Sequence, residues 1–257
     1  MERRLLFQEF TRTELRDLAP HALAVFPVGA TEQHGPHLPV GTDCYAVEQI
    51  ARDAAARVAG AIPVVVAPTL PFGSSHHHLP FGGTMSLGTE IYYRVMHDLV
   101  ESLITDGFRR IFIVNGHGGN DEVVQLVARD LARTHPAHIA AASYWDIAWD
   151  ALVAEDAHLS GGLPGHAGAF EASLVLALHP DLVREPRPHR DDVTVSDPRG
   201  HRAYRAEFHG RWEEMDGYSD SPDRATSERG RTYLAAVVHA VGDAFTAFYD
   251  AAGDATS

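Results

Sequence analysis

Runs of apolar residues alternate along the chain with stretches in which apolar positions recur every three or four residues. The apolar runs have the length of buried strands, and they cover 22–28, 62–67, 111–114 and 139–145. The periodic stretches are typical of amphipathic helices, and they cover 42–58, 89–106 and 120–134. Strands that alternate with helices in this way predict a layered α/β fold with a largely parallel sheet.

The remaining stretches are less regular. A glycine-rich turn over 161–168 leads into a predicted helix over 169–178, and apolar positions over 234–248 predict a final amphipathic helix. Segment 69–88 has no helix or strand pattern, and a loop of this length inside a compact domain is usually functional. Segment 186–224 is polar and shows no period, so we expect it to wrap the surface or to contact a partner subunit.

Composition narrows the possible classes of protein. With 257 residues and 45% hydrophobic content, the chain suits a single domain over residues 1–257. The 35 acidic and 21 basic residues leave a net charge of -14, which argues against nucleic acid and membrane surfaces as partners. The lone Cys44 cannot form an internal disulfide, and we find neither a signal peptide nor an apolar run as long as a membrane span. A cytoplasmic protein is therefore expected.

Polar side chains that suit a metal ion follow the first predicted strand. Glu32 and His34 are two residues apart, so their side chains point to one side if the chain is still extended there, and Asp43 heads the next helix. Such groups are costly to bury unless a partner such as a divalent cation neutralises them. Oxygen and nitrogen ligands without cysteine are typical of catalytic metal sites with open positions. The alternative is that these side chains only hydrogen-bond the loop backbone.

His117 follows the third strand on a glycine-rich turn, and the carboxyl ends of parallel strands share one crevice. Its glycines allow a ligand to approach the backbone closely. A phosphate-binding loop is a rival interpretation, but the turn lacks that fingerprint's spacing and its lysine. His166 and Glu171 add an imidazole and a carboxylate, although an acidic residue at a helix start can simply be a cap.

The chain offers no good covalent nucleophile. It has no Gly-X-Ser-X-Gly elbow, and Cys44 adjoins the acidic Asp43 rather than a cation. A metal ion lowers the pKa of bound water from about 15.7 to about 7 and so supplies hydroxide without a side-chain nucleophile. The candidate ligands are numerous enough for two ions, and they are Glu32, His34, Asp43, His117 and Glu171.

Three motifs in chain order resemble the creatininase, or creatinine amidohydrolase, superfamily, in the subgroup with an Asn-Gly-His-Gly-Gly-Asn motif. The motifs lie at 27–43, 115–120 and 166–171. The resemblance implies a three-layer α/β/α sandwich, a centre of two Zn or Mn ions with Fe also allowed, and often a homo-oligomer, a hexamer. It implies hydrolysis of a small non-peptide or cyclic amide.

The resemblance also implies roles for individual residues. Glu32 and His117 would bind one ion, His34 the other, and Asp43 would bridge them. His166 matches the family's histidine for proton transfer. The predicted substrate contacts are Ser75 and His78 in the family's substrate loop, with Gly118, Gly119 and Asn120 after the third strand.

Two departures from creatininase itself shape the prediction. Creatininase has a glutamate where this chain has Gly119, so we expect Glu171 to supply the missing ligand. The Trp and Glu with which creatininase holds its substrate are absent before His166, so creatinine is not the expected substrate. We predict that a metal-bridging hydroxide hydrolyses a small amide or lactam. The alternatives are a lactone or cyclic-ketone hydrolase on the same centre, or a metal-stabilised binding protein without turnover.

Overall fold

The computed structural model describes residues 4–191 and 208–253. Its central sheet has four parallel strands in the order β2-β1-β3-β4. They are β1 (Leu23–Val28), β2 (Val64–Val66), β3 (Arg110–Asn115) and β4 (His138–Ser143). The predicted α/β fold with a parallel sheet is thereby confirmed.

Helices cover both faces of this sheet. The longer ones are α1 (Arg12–Leu18), α2 (Thr42–Val58), α3 (Thr89–Thr105), α4 (Asp121–Thr134), α7 (Ala169–Leu178) and α9 (Ser227–Ala251). The short ones are α5 (Tyr144–Ile147), α6 (Trp149–Ala154) and α8 (Arg211–Glu214). None of the helices within the described ranges is long and apolar enough to cross a bilayer.

Alternation along β1 separates two apolar cores, because successive side chains in a strand point to opposite faces. Leu23 and Val25 pack with α2, α7 and α9 on one face. Ala24 and Phe26 pack with α3 and α4 on the other face. The result is the predicted three-layer α/β/α sandwich, with the sheet as its middle layer.

The structure differs from the sequence prediction at several places. The helices α1 and α6 were not predicted, and α9 begins at Ser227, before the predicted start at 234. The strand predicted over 139–145 ends at Ser143, because Tyr144 and Trp145 begin α5. The segment 69–88 contains a 3₁₀ helix, His76–Phe81. The segment 186–224 contains α8 and a 3₁₀ turn at Pro222–Arg224, and its residues 192–207 lie outside the described ranges.

The carboxyl ends of β1, β3 and β4 lie side by side at one edge of the sheet, since the strands are parallel and adjacent. The loop after Val28, the turn after Asn115 and the start of α5 therefore meet there. This is where ligands bind in open parallel sheets.

Close packing of α9 on α7 depends on Gly230. A Cβ at this position would overlap the backbone carbonyl of Ser173 in α7. We expect Gly230→Ala to lower the free energy of unfolding by about 2 kcal/mol, because overpacking outweighs the gain in helix propensity. Gly60→Ala is the matched control, since no atom lies within 4 Å of a Cβ built there, and it should change stability by less than about 0.5 kcal/mol. Urea unfolding of both variants measures the difference, and equal stabilities would contradict the packing argument.

Candidate metal centre

The loop after β1 folds back on itself and buries its polar side chains. The amide of Glu32 donates to the Val40 carbonyl at 2.9 Å, and Gly35 adopts a left-handed conformation with a φ of 63°. Glu32 and His34 are both 0% exposed. His37 donates from Nε2 to the Ala167 carbonyl at 3.0 Å, which fits an anchoring role for this residue.

Asp43 lies between two imidazoles at the start of α2. Its Oδ1 is 3.1 Å from His34 Nε2, and its Oδ2 is 3.2 Å from His117 Nδ1. The preceding Thr42 donates from its hydroxyl to the Pro39 carbonyl at 2.8 Å, which connects the loop to the helix. The carboxylate therefore faces both histidines at once.

His117 is held by the side chain of Asn115, the last residue of β3. The Asn115 amide accepts from the His117 N–H at 3.1 Å and donates to the His117 carbonyl at 2.7 Å. The His117 Nδ1 lies 3.3 Å from Glu32 Oε1, while Nε2 lies 3.2 Å from the Ser74 carbonyl and 3.2 Å from the Ser75 hydroxyl. Nε2 can thus carry the ring hydrogen, which leaves Nδ1 with a lone pair for a ligand.

The Glu171 side chain approaches the same group of polar side chains from α7. Ala167 adopts a φ of 51°, and its amide donates to Glu171 Oε2 at 2.6 Å. The same Oε2 lies 3.7 Å from His34 Nε2. Glu171 therefore accepts from the backbone just before its own helix and also lies beside His34.

The predicted ligands fall into two adjacent donor sets that share Asp43. Set one is Glu32 Oε1, Asp43 Oδ2 and His117 Nδ1, and set two is His34 Nε2, Asp43 Oδ1 and Glu171 Oε2. The atoms of set two all lie within 4.8 Å of one another, as one ion requires. His166 also lies near, with Nδ1 at 3.5 Å from Glu32 Oε1.

The polar atoms of the cluster fit a cation. Both carboxylate oxygens of Glu32 and Oδ2 of Asp43 are buried and accept no hydrogen bond within the described residues. Leaving buried charged oxygens without a partner is costly. As in His117, one ring nitrogen of His34 lies near a carbonyl oxygen and the other faces the cluster. In His34 the nitrogen near the carbonyl is Nδ1, 3.1 Å from that of Glu32, which leaves Nε2 to bind a metal ion.

The pKa values of the cluster reflect its excess of carboxylates. Burial acts to lower the pKa of His34, but Asp43, Glu171 and Glu32 together raise it to about 10. Burial likewise opposes protonation of His117, yet Glu32 and Asp43 raise its pKa well above the ordinary value. Burial also raises the pKa of Glu171 to about 8. The crowded carboxylates thus draw positive charge to the site, and metal ions compete with these protons.

A cavity of about 310 Å³ opens onto the cluster, a size suited to a small ligand. Its lining includes Asp43, His78, His117, His166, Glu171 and Trp212. Trp212 also lines the cavity, and the sequence analysis did not predict it. It lies on α8, within the polar segment 186–224. Its ring is 4.8 Å from that of His78 and 5.2 Å from that of His166. One signal was available, a large aromatic residue standing between charged neighbours in an otherwise polar stretch.

The five predicted substrate contacts divide into two groups. His78, Gly118 and Gly119 line the cavity. Ser75 and Asn120 are fully buried and are not among the residues that line it. Ser75 contacts the His117 ring, and the Asn120 amide joins Ser74 to the Gly29 carbonyl, so both brace the loops instead.

Gly119 has a steric reason to be glycine. A Cβ there would overlap the Ser74 carbonyl oxygen and meet the His117 ring at 2.5 Å. With this backbone the position has no room for a glutamate. The third carboxylate of the cluster, that of Glu171, comes from α7 instead.

The segment 217–221 clamps the loop that carries His166. The Ser219 amide donates to the His166 carbonyl at 2.9 Å, and the His166 amide donates to the Ser219 hydroxyl at 2.8 Å. Asp220 is 1% exposed and accepts from the amides of Ala169 at 2.7 Å and Gly162 at 3.2 Å. This part of the segment therefore packs against the site rather than only wrapping the surface.

Comparison with known proteins gives one family. A family model described as creatininase, creatinine amidohydrolase, matches residues 8–245. The mycofactocin precursor peptide peptidase of Mycobacterium tuberculosis is 33% identical over 237 residues, which are 89% of this chain and 85% of that protein. The protein of the same description from Mycobacterium ulcerans is 33% identical, with 69% of this chain aligned to 66% of its length.

Other relatives act on different molecules by their names. Creatinine amidohydrolase of Pseudomonas putida is 33% identical over 66% of this chain and 69% of its own. The 3-dehydro-scyllo-inosose hydrolase of Thermotoga maritima is 27% identical over 76% of this chain and 61% of its own. A crystal structure of creatininase aligns with a TM-score of 0.74 and 28% identity, covering 93% of this chain and 96% of that one. Solved creatininases of similar likeness include a Mn form and a Zn–Zn mutant form.

The Asp220 clamp can be tested by hydrogen exchange. Asp220→Ala leaves the buried amide of Ala169 and the half-buried amide of Gly162 without this acceptor, so we expect a loss of about 3 kcal/mol in the free energy of unfolding. Peptides covering 161–169 should also exchange faster. Ser221→Ala is the control, because its hydroxyl bonds to the backbone of Arg190 on the other side of the segment. Unchanged exchange over 161–169 in Asp220→Ala would contradict the clamp.

Proposed function

The chain belongs to the creatininase family, and on that basis we propose a metal-dependent amidohydrolase that holds two divalent ions and hydrolyses a small linear or cyclic amide. The observation that carries the proposal is the Asp43 carboxylate, which presents one oxygen to His34 and the other to His117. A carboxylate shared by two donor sets suits a bridge between two ions. Relatives that are hydrolases by name support the general activity.

The proposed assignment follows the two donor sets. Glu32 and His117 hold one ion, His34 and Glu171 hold the other, and Asp43 belongs to both. Mixed oxygen and nitrogen ligands suit Zn and Mn, and solved relatives exist in Mn and Zn–Zn forms. When bound, such ions polarise the substrate carbonyl and lower the pKa of the attacking water.

His166 is the residue proposed to move the proton. Its Nε2 lies 2.9 Å from the Gln33 carbonyl and donates to it, so Nδ1 keeps its lone pair on the side of Glu32. Burial and the surrounding imidazoles lower the pKa of His166 well below its ordinary value, so the ring is neutral. Nδ1 accepts a proton as water attacks the carbonyl carbon, and it returns that proton to the nitrogen as the C–N bond breaks.

The size of the cavity limits the part of the substrate that enters it. About 310 Å³ accommodates a small amide or the end of a peptide, and the relatives include enzymes named for each kind of substrate. The proposed substrate is therefore a compact amide. We also propose a homo-oligomer, hexameric as the family resemblance implies, which is supported by the exposed apolar side chains Leu79, Met85 and Ile91.

In a second candidate function, the same metal centre hydrolyses a different type of bond. The Thermotoga relative is named as a hydrolase of an inosose, a cyclic ketone. Hydrolysis of a C–C bond or an ester would use the same activated water and the same His166. A panel of amides, lactones and cyclic diketones at equal concentration separates the two candidates, and binding without hydrolysis of any of them would instead indicate a protein that lost turnover.

Metal content tests the assignment of ligands. Protein purified without a His tag or added metal should contain about two divalent ions per chain, because the site offers two donor sets joined by Asp43. Glu171→Gln should reduce this to about one, and Asp43→Asn should reduce it below one. Glu48→Gln on the exposed face of α2 is the matched control and should keep both ions. Elemental analysis measures all four proteins, and one ion in the unmodified chain would refute the dinuclear proposal.

Activity should depend on both the ions and His166. Dialysis against a chelator should abolish hydrolysis, and addition of Zn²⁺ or Mn²⁺ should restore it. His166→Gln should lower kcat by about 10²- to 10⁴-fold while the ions stay bound, because it removes only the proton acceptor. Steady-state kinetics on the best amide of the panel measures both effects. Full activity of metal-free protein would sink the proposal.

A further inference from the structure

Gln33 lies between Glu32 and His34 in the chain, yet neither donor set includes it. Its side chain is buried at 7% exposure and contacts Gly35, His78, His166 and Gly217. A buried amide with this many polar neighbours fixes the hydrogen positions of the groups around it. Two of those groups are imidazoles that line the cavity.

The orientation of the Gln33 amide follows from its backbone partners. The Gly35 N–H donates to Oε1 at 2.8 Å, so this atom is the oxygen. Nε2 lies 2.9 Å from the Gly217 carbonyl, which only accepts, so one hydrogen of the NH₂ group points there. The other hydrogen remains for the two histidines.

Only His78 can accept that hydrogen. Nε2 of His166 already donates to the Gln33 backbone carbonyl at 2.9 Å, and a ring nitrogen that carries hydrogen cannot accept. Nδ1 of His78 lies 2.9 Å from Gln33 Nε2 and accepts from it. Because Nδ1 accepts this hydrogen bond, the His78 ring carries its own hydrogen on Nε2.

Both imidazoles thus carry their hydrogen on Nε2, but they direct different nitrogen atoms towards Glu32. Their rings stack with centroids 4.1 Å apart and planes inclined by 17°. His166 presents the bare Nδ1 and His78 presents Nε2–H, and each atom lies 3.5 Å from Glu32 Oε1. Nε2 of His78 is buried and has no hydrogen-bond partner among the described residues.

We propose that His78 is a catalytic hydrogen-bond donor and that Gln33 is the positioning residue that keeps the donating hydrogen on His78 Nε2. This inference rests on the proposed amide hydrolysis. The donor faces the carbonyl oxygen of the substrate, which gains negative charge when water adds to the carbonyl carbon. No proton leaves His78, whereas His166 beside it takes and returns the proton of the attacking water. An oriented donor of this kind stabilises the transition state more than the bound substrate.

Substitutions at position 78 test the donor. His78→Leu should lower kcat about 10²- to 10³-fold with KM changed less than about threefold, because the hydrogen bond strengthens only in the transition state. His78→Gln can place an amide N–H near the position of Nε2 and should keep kcat within about tenfold of the unmodified enzyme. Melting temperature and metal content check that both variants fold and hold the same ions. Equal kcat values for His78→Leu and the unmodified enzyme would overturn the catalytic role.

A spectroscopic measurement tests Gln33 independently of turnover. In Zn²⁺-loaded protein labelled with ¹⁵N-histidine, the ¹⁵N shifts of each ring report which nitrogen carries hydrogen, and His78→Gln and His166→Gln identify the two signals. We expect hydrogen on Nε2 of both rings, and a mixture of tautomers for His78 in Gln33→Met, which is similar in size but has no N–H donor. Gln33→Met should also lower kcat.

The outcomes separate the two claims. Hydrogen on Nδ1 of His78 in the unmodified protein, or an unchanged His78 signal in Gln33→Met, would overturn the positioning role of Gln33 whatever the activity. Failure of the unmodified protein to hydrolyse any amide would overturn the proposed function and the catalytic role of His78 with it. The tautomer result would still decide the role of Gln33.

Discussion

The burial of three carboxylates at one edge of the sheet is the constraint on which the rest of this structure depends. Glu32, Asp43 and Glu171 lie nearly out of reach of water, and the oxygens of Glu32 accept no hydrogen bond within the described residues. Such a group is stable only if positive charge comes to it. The imidazoles of His34 and His117 are placed where they can serve as ligands beside ions or hold protons without them.

The parallel sheet provides the rigid support for this cluster. β1 and β3 are neighbours, so the residues that follow them lie within a few ångströms without a long connection. Hydrogen bonds then hold two members of the cluster in place: the Asn115 side chain fixes the turn of His117, and the Ala167 backbone amide donates to Glu171. Ligands held by packed elements and by an outer layer of hydrogen bonds keep the geometry that a metal ion needs.

The residues around the cluster come from parts of the chain that are distant in sequence. Gly119 cannot accept a side chain because the Ser74 carbonyl occupies that space, and the carboxylate comes from α7 across the cavity. Trp212 covers the stacked imidazoles from a segment distant in sequence. Gly119, Glu171 and Trp212 all line the cavity beside the donor sets. The names of the relatives give different substrates.

Hydrophobic periodicity was enough to predict the α/β class, the parallel strands and the bounds of α2, α3, α4 and α7 to within one residue, because those patterns record which faces are buried. Residue type and spacing were enough to expect Glu32, His34, Asp43 and His117 in one cluster, since residues that follow neighbouring parallel strands lie close together. Local spacing could not show that Ser75 and Asn120 brace loops, that Asp220 clamps the His166 turn, or that Gln33 fixes the hydrogen on His78. Those roles arise from contacts between residues that are 42 to 184 positions apart, and only the folded chain decides them.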